Sequence, residues 1–167
     1  MRATDLIELV IQPTLMGIKM YSQAAEQLIA GTIAQESLCG MYLKQQSGPA
    51  LGIAMIEPST HADIHHTYLR FRSDLMSMVY ATCGMPWHNI GVIPYDEELI
   101  YNLRYAVAIA RIKYARVSEK LPAFGDVADQ ALYWKAYYNS ALGKGKPSDY
   151  MTNYEKFIKP YYNKIKD

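Results

Sequence analysis

Two glutamates at the borders of one turn-rich stretch are the residues best suited to chemistry in this chain of 167 residues. Glu36 ends "GTIAQE" and Glu57 ends "GIAMIE", just before Pro58. Glu36 falls one helical turn beyond an apolar stripe of Ala25, Leu28, Ile29, Thr32 and Ile33, so its carboxyl is expected to face the protein. Desolvation and the negative end of the helix dipole both disfavour the charged form there and raise the pKa. A carboxyl that keeps its proton near neutral pH is suited to general acid catalysis. The same position also suits a partly exposed or salt-bridged carboxylate, and the pattern leaves both readings open. Glu57 has two readings as well: turned into the same cleft it holds a water, turned outward it is a loop residue.

Other chemistries find less support. His61 and His65 stand one helical turn apart in "HADIHH", with His66 alongside. The zinc-protease helix reads His-Glu-x-x-His, and Asp63 is better explained as a capping residue, so no metal site is expected. There is no Gly-x-Ser-x-Gly motif, and neither Cys39 nor Cys83 belongs to a nucleophile signature. Both cysteines are expected as free buried thiols, and no cofactor is implied.

The elements that must position these groups read as helices. Leu6, Ile7, Val10 and Ile11 predict a short amphipathic helix capped by Thr4 and stopped by Pro13. The helix leading to Glu36 starts near Ser22. Residues 38–60 change character, because Gly40, Ser47, Gly48, Pro49, Gly52 and Pro58 punctuate short apolar pieces as in loops or a small irregular sheet. "THAD" predicts a capping box, with Thr60 as cap, opening a helix with Ile64, Tyr68, Phe71, Leu75 and Val79 on one face. "CGMPWHNIGVIPYD" is a long connection. Asp96, Glu97 and Glu98 open the clearest helix, whose buried stripe runs from Leu99 through Leu103, Ala106, Val107, Ala110 and Tyr114 to Val117, with Lys120 in its last turn. A further helix is predicted from Asp126 to Leu142, stopped by "GKGKP", and a last one from Tyr150 to Ile165, broken at Pro160. The reading is one mainly α domain over residues 1–167, with a small irregular loop and β segment around residues 38–60.

Glu36-Ser37 followed by "GIAMIEPST" resembles the signature of the goose-type lysozyme and soluble lytic transglycosylase family. That family carries Glu-Ser at a helix end, a loop, then Gly-Leu-Met-Gln-Ile-Met-Pro-x-Thr. Gly52, Ile53, Ile56, Pro58 and Thr60 fit the second part at the family's spacing. The family's later Tyr-Asn pair followed by glycine is matched by Tyr138, Asn139 and Gly143 in "WKAYYNSALGKG". "GPALG" and "EPSTH" are similar to the phage branch of this lysozyme-like superfamily, and the resemblance spans residues 22–145. It implies a lysozyme-like fold and a glycosidase cutting the β-1,4 bond between N-acetylmuramic acid and N-acetylglucosamine in peptidoglycan, with Glu36 as general acid. A lytic transglycosylase would close the muramic acid ring with its own C6 hydroxyl. A muramidase would place a water, with Glu57 as its holder. Ser37 would hydrogen-bond the glutamate or cap backbone groups. Tyr138 would approach Glu36 through its hydroxyl, and Asn139 would hold loop backbone. Gln45 and Gln46 would reach acetamido groups or form a solvated turn. Two positions depart from the family: Met55 stands where it has glutamine, and Glu57 where it has a second methionine. Met55 leaves room for a second reading, an inactive phage structural or glycan-binding protein that keeps the fold.

Composition narrows the partners. Half the residues are apolar and a fifth are charged, with a formal net charge of +1, so no strong steering toward nucleic acid is expected. Fifteen tyrosines suit either groove walls or half-buried packing. No stretch reaches membrane-span length, and "MRATDLIELVIQPTL" lacks an uninterrupted signal-peptide core. Stable membrane insertion is therefore not expected. A chain made in the host cytoplasm without a visible signal fits an endolysin released by a holin, or a lysin carried in the virion.

Overall fold

The computed structural model describes residues 1–85, 92–139 and 143–164, and these residues are mainly helical. A π-helical segment, Asp5–Ile11, runs directly into α1 (Gln12–Gly17). Then follow α2 (Gln23–Ser37), α3 (Pro58–Thr67), a 3-10 turn (Leu69–Phe71) and α4 (Ser73–Ala81). The second half holds α5 (Glu98–Tyr101), α6 (Leu103–Ala115) and α7 (Val127–Trp134), which continues as a π-helical segment, Lys135–Asn139. It closes with α8 (Pro147–Phe157) and α9 (Lys159–Lys164). Among the described residues no helix is long and apolar enough to cross a membrane.

Helix α2 is the axis of the fold, packed against α6, α7, α8 and the first π-helical segment. The helix starts near Ser22 as expected, and Ser22 caps it, its Oγ accepting from the Ala25 N–H at 3.1 Å. Every residue from Ala25 to Ala34 is buried, so the helix is enclosed on all sides. Three polar side chains lie in that run, and each is hydrogen-bonded. Glu26 accepts from Gln12 Nε2 at 2.9 Å and from the Tyr162 hydroxyl at 2.8 Å. Gln27 donates to the Tyr154 hydroxyl and accepts from Gln130 Nε2. The Thr32 hydroxyl meets that of Tyr114 at 2.8 Å. Gly31 lets α8 approach: a Cβ there would overlap the Tyr150 hydroxyl and ring, which lie against this turn of α2. One continuous apolar core extends from Leu6 to Tyr162.

Residues 38–57 form the small irregular segment expected. Antiparallel bridges join Lys44 to Leu51 and Leu51 to Ile56. Gly52 holds φ +75° with its Cα against the Leu99 carbonyl, so any side chain would strike the backbone of α5. Cys39 is buried and Cys83 half-buried, and both are free thiols.

Several boundaries differ from the sequence expectation. Pro13 does not stop the first helix, because it occupies the first turn of α1, where its missing N–H costs nothing. Thr4 has no capping hydrogen bond. Helix α3 opens at Pro58 rather than at Thr60, since the fixed φ of proline suits a first helical position and Glu57 provides the extended entry. Asp63, freed from capping, forms an ion pair with Arg116. The stripe from Ile64 to Val79 breaks after Tyr68: the 3-10 turn shifts the helical phase, and Phe71 ends up exposed. Asn102 interrupts the helix predicted from Asp96, adopting extended backbone and capping α6 through the Tyr105 N–H at 3.2 Å. Helix α6 ends at Ala115, so the lysine in its last turn is Lys113, not Lys120. Asp126, the expected start of that helix, caps α7, its Oδ1 accepting from the Asp129 N–H, while residues 140–142 of the predicted helix, and residues 86–91 of the long connection, lie outside the described residues.

Gly31→Ala is expected to cost about 1–3 kcal/mol by forcing α8 off α2. Urea unfolding checks it, and an unchanged midpoint would mean that this contact does not set the α2–α8 spacing.

Candidate active site

Glu36 is the second-last residue of α2. The helix cannot continue beyond it, because Leu38, Cys39 and Gly40 all take positive φ and turn the chain sharply. Three left-handed residues in succession, two of them not glycine, are strained backbone of the kind that gathers at functional sites. Ser37 secures this turn. Fully buried, its Oγ donates to the Ile33 carbonyl at 3.1 Å and accepts from the Gly40 N–H at 2.9 Å. Ser37 is therefore a backbone-capping residue here and does not line the cleft, in contrast to a substrate-binding role.

The Glu36 side chain is half-buried, and Trp134 Nε1 donates to its Oε1 at 2.8 Å. Burial pushes its pKa up to about 7, against the opposing pull of the Trp134 hydrogen bond and the positive charge of Lys113. Lys113 is shifted the other way, down to about 8, because burial outweighs the attraction of Glu36 and Glu57. Its Nζ donates to the Tyr138 carbonyl at 2.8 Å and lies 3.8 Å from the centre of the Tyr138 ring.

A cleft of about 1170 Å³ opens at Glu36. Residues 42–57 supply one wall, residues 134–139 and 143–145 the other, and Lys113 also lines the cleft. Gln45, Gln46, Met55 and Glu57 all line it, as do Tyr138 and Asn139. Gln45 is partly committed to its own turn, Oε1 accepting from the Ala50 N–H at 3.3 Å. Met55 holds φ +45° at the tip of the loop. Glu57 is exposed at the start of α3, on the same cleft as Glu36.

Two expected contacts are made differently. The Tyr138 hydroxyl donates to the Ala54 carbonyl at 2.7 Å, so it fastens the loop to the π-helical segment rather than meeting Glu36. Tyr138 still senses the Glu36 charge, which together with complete burial pushes its phenol well above the ordinary range. Among the described residues, Asn139 makes no hydrogen bond of its own to loop backbone. Its Oδ1 accepts from Lys135 Nζ at 2.8 Å, and Lys135 reaches the Gly143 carbonyl at 2.6 Å.

The histidines belong elsewhere. His61 Nδ1 lies 2.7 Å from Asp96 and its Nε2 2.7 Å from the Tyr105 hydroxyl, which also meets His65 Nε2 at 2.9 Å. Among the described residues no group of three or more His, Cys, Asp or Glu side chains is arranged to hold a metal.

The sequence reading missed Trp134 and Lys113. Lys113 stands three residues after Ala110 and seven after Ala106, on the buried face of α6, so the rule that singled out Glu36 applies to it equally. Trp134 is one helical turn before Tyr138, inside the stretch already quoted for the Tyr-Asn pair. Comparison of the chain with protein-family models, curated proteins and solved structures finds no match.

A glutamate whose folded pKa is raised leaves the native state at full advantage below its unfolded pKa of about 4.5 and penalises it as pH rises through 7. Glu36→Gln keeps an oxygen for Trp134 and removes that penalty. The variant is expected to match wild type near pH 4 and to exceed it by on the order of 2–3 kcal/mol at pH 8. Denaturant titrations at both pH values check this. A variant less stable than wild type at pH 8 would mark Glu36 as a structural carboxylate.

Proposed function

We propose that this chain is a peptidoglycan-cleaving glycosidase of lysozyme-like fold, a phage endolysin or virion-associated lysin, with Glu36 as the general acid. The observation that carries the reading is a carboxyl with a pKa near 7 at the head of a cleft of about 1170 Å³. That volume exceeds the roughly 300–1000 Å³ of ordinary small-molecule pockets and suits a polymer strand. The Trp134 indole occupies Oε1 and leaves Oε2 to carry the proton. In the proposed step Oε2–H protonates the glycosidic oxygen as the bond to the muramic acid C1 breaks. The carboxylate left behind is met by the Trp134 N–H. Ring closure by the muramic acid's C6 hydroxyl, its proton passing to the Glu36 carboxylate, then gives a 1,6-anhydro product, whereas a water that Glu57 holds and deprotonates gives a reducing end.

A second reading, an inactive structural or glycan-binding phage protein, draws on Met55, which lines the cleft where the resembled family has glutamine.

Mass spectrometry of purified peptidoglycan after digestion separates these. Wild type is expected to release soluble muropeptides, and Glu36→Gln to lose at least about 100-fold in rate. Anhydro ends identify a transglycosylase. Reducing ends identify a muramidase, for which Glu57→Gln would slow release. No soluble product from wild type on several wall types would overturn the enzyme reading.

A further inference from the structure

Lys113 is a half-buried cation of this site, and its placement is specific. It lies on the face of α6 that carries the fully buried Ala106 and Ala110, where a charged side chain is costly unless it is held and compensated. The hold comes from one neighbour: the Tyr138 carbonyl accepts from Nζ at 2.8 Å, and the Tyr138 ring faces the ammonium at 3.8 Å. That carbonyl belongs to the π-helical segment, so the ammonium ties α6 to it. Tyr138 is itself anchored by its hydroxyl to Ala54 on the opposite wall. The ammonium is thus fixed between the two walls of the cleft rather than carried on a mobile chain.

We propose that Lys113 is a positioning residue of the Glu36 site: a positive charge pinned on the Tyr138 carbonyl that compensates the carboxylate appearing on Glu36 when its proton departs. This rests on the general-acid reading of Glu36. The charged groups bearing on Lys113 are Glu36 at the end of α2, Glu57 ahead of α3, and Arg116 just past the end of its own helix, the last opposing its charge. Glu36 senses Trp134 and Lys113. Lys44 and Lys144 stand on the two walls, both exposed, and water screens them more strongly than Lys113. Among these cations Lys113 is the one whose geometry is fixed by a hydrogen bond to the opposing wall.

The role acts through Glu36, so it is read on Glu36. The chain has two tryptophans, and the Trp134 indole donates directly to the Glu36 carboxyl. Its N–H signal in 1H–15N spectra, assigned with Trp87→Phe, therefore reports ionisation of Glu36 whether or not the protein is an enzyme. In wild type the signal is expected to inflect near pH 7 and in Glu36→Gln to be flat. Lys113→Gln keeps a donor for the Tyr138 carbonyl and removes the charge, and its inflection is expected about one pH unit higher. Lys113→Arg is expected to stay within a few tenths of wild type. Lys113→Met should follow Lys113→Gln; where Met fails to fold, Gln decides.

An unmoved inflection in folded Lys113→Gln would overturn the proposal. So would equal displacement in Lys113→Arg and Lys113→Gln, because then shape rather than charge would matter. The rate of peptidoglycan release, followed against pH, separates the two layers of the argument. A displaced indole inflection in a protein without cleavage activity would sink the glycosidase reading and leave the Lys113–Glu36 coupling standing. Cleavage with an unmoved inflection would do the reverse.

Discussion

The hydrogen bond from the Trp134 indole to Glu36 joins the end of the most enclosed helix to the segment that forms the far wall of the cleft. The contacts around it follow from that joint. Once Trp134 is docked on α2, the π-helical segment brings Tyr138 over Lys113 and its hydroxyl onto the Ala54 carbonyl. The irregular loop is tied to the helical body at Ala54 by Tyr138, two residues from where Gly52 packs against the Leu99 carbonyl. An indole N–H also suits both charge states of the acid, since it donates to a neutral carboxyl and to a carboxylate alike. Removing water from Glu36 raises its pKa, and the Trp134 hydrogen bond together with the Lys113 charge limits the rise to about 7.

The same economy explains the tyrosines. A helix buried on every side, with Glu26, Gln27 and Thr32 in its sequence, needs polar partners within an apolar core. Tyrosine supplies an apolar ring and one hydroxyl at its tip. Tyr162, Tyr154 and Tyr114 meet those three residues in turn, and Tyr150 reaches the Leu28 carbonyl beside Gly31. Tyr105 does the same for the paired histidines. Most of these rings belong to the core, while Tyr42 and Tyr137 line the cleft with Tyr138.

Legibility from sequence followed the range of the forces involved. The start of α2 near Ser22, its buried stripe and the inward turn at Glu36 rest on neighbours within four residues, and the sequence displays them. The turn-rich composition of residues 38–57 gave the character of the loop. Errors arose where two local signals competed. Pro13 reads as a stop and Pro58 as a loop residue, although proline is tolerated in a first turn. Asn102 and the 3-10 turn after Tyr68 reset the helical phase, which no stripe extended across them could reveal. Partners distant in sequence, such as Trp134 for Glu36 or Ala54 for Tyr138, depend on how helices pack. Lys113 was visible by its register alone, and the absence of an adjacent motif let it pass.

The most direct test of the account is the pH dependence of peptidoglycan release by wild type, followed from pH 5 to pH 9. A protonated Glu36 acting as general acid predicts a rate that falls above about pH 7 with the slope of a single proton. A rate that stays level or climbs across that range would contradict it, and Glu36 would then be a buried carboxyl without a catalytic task.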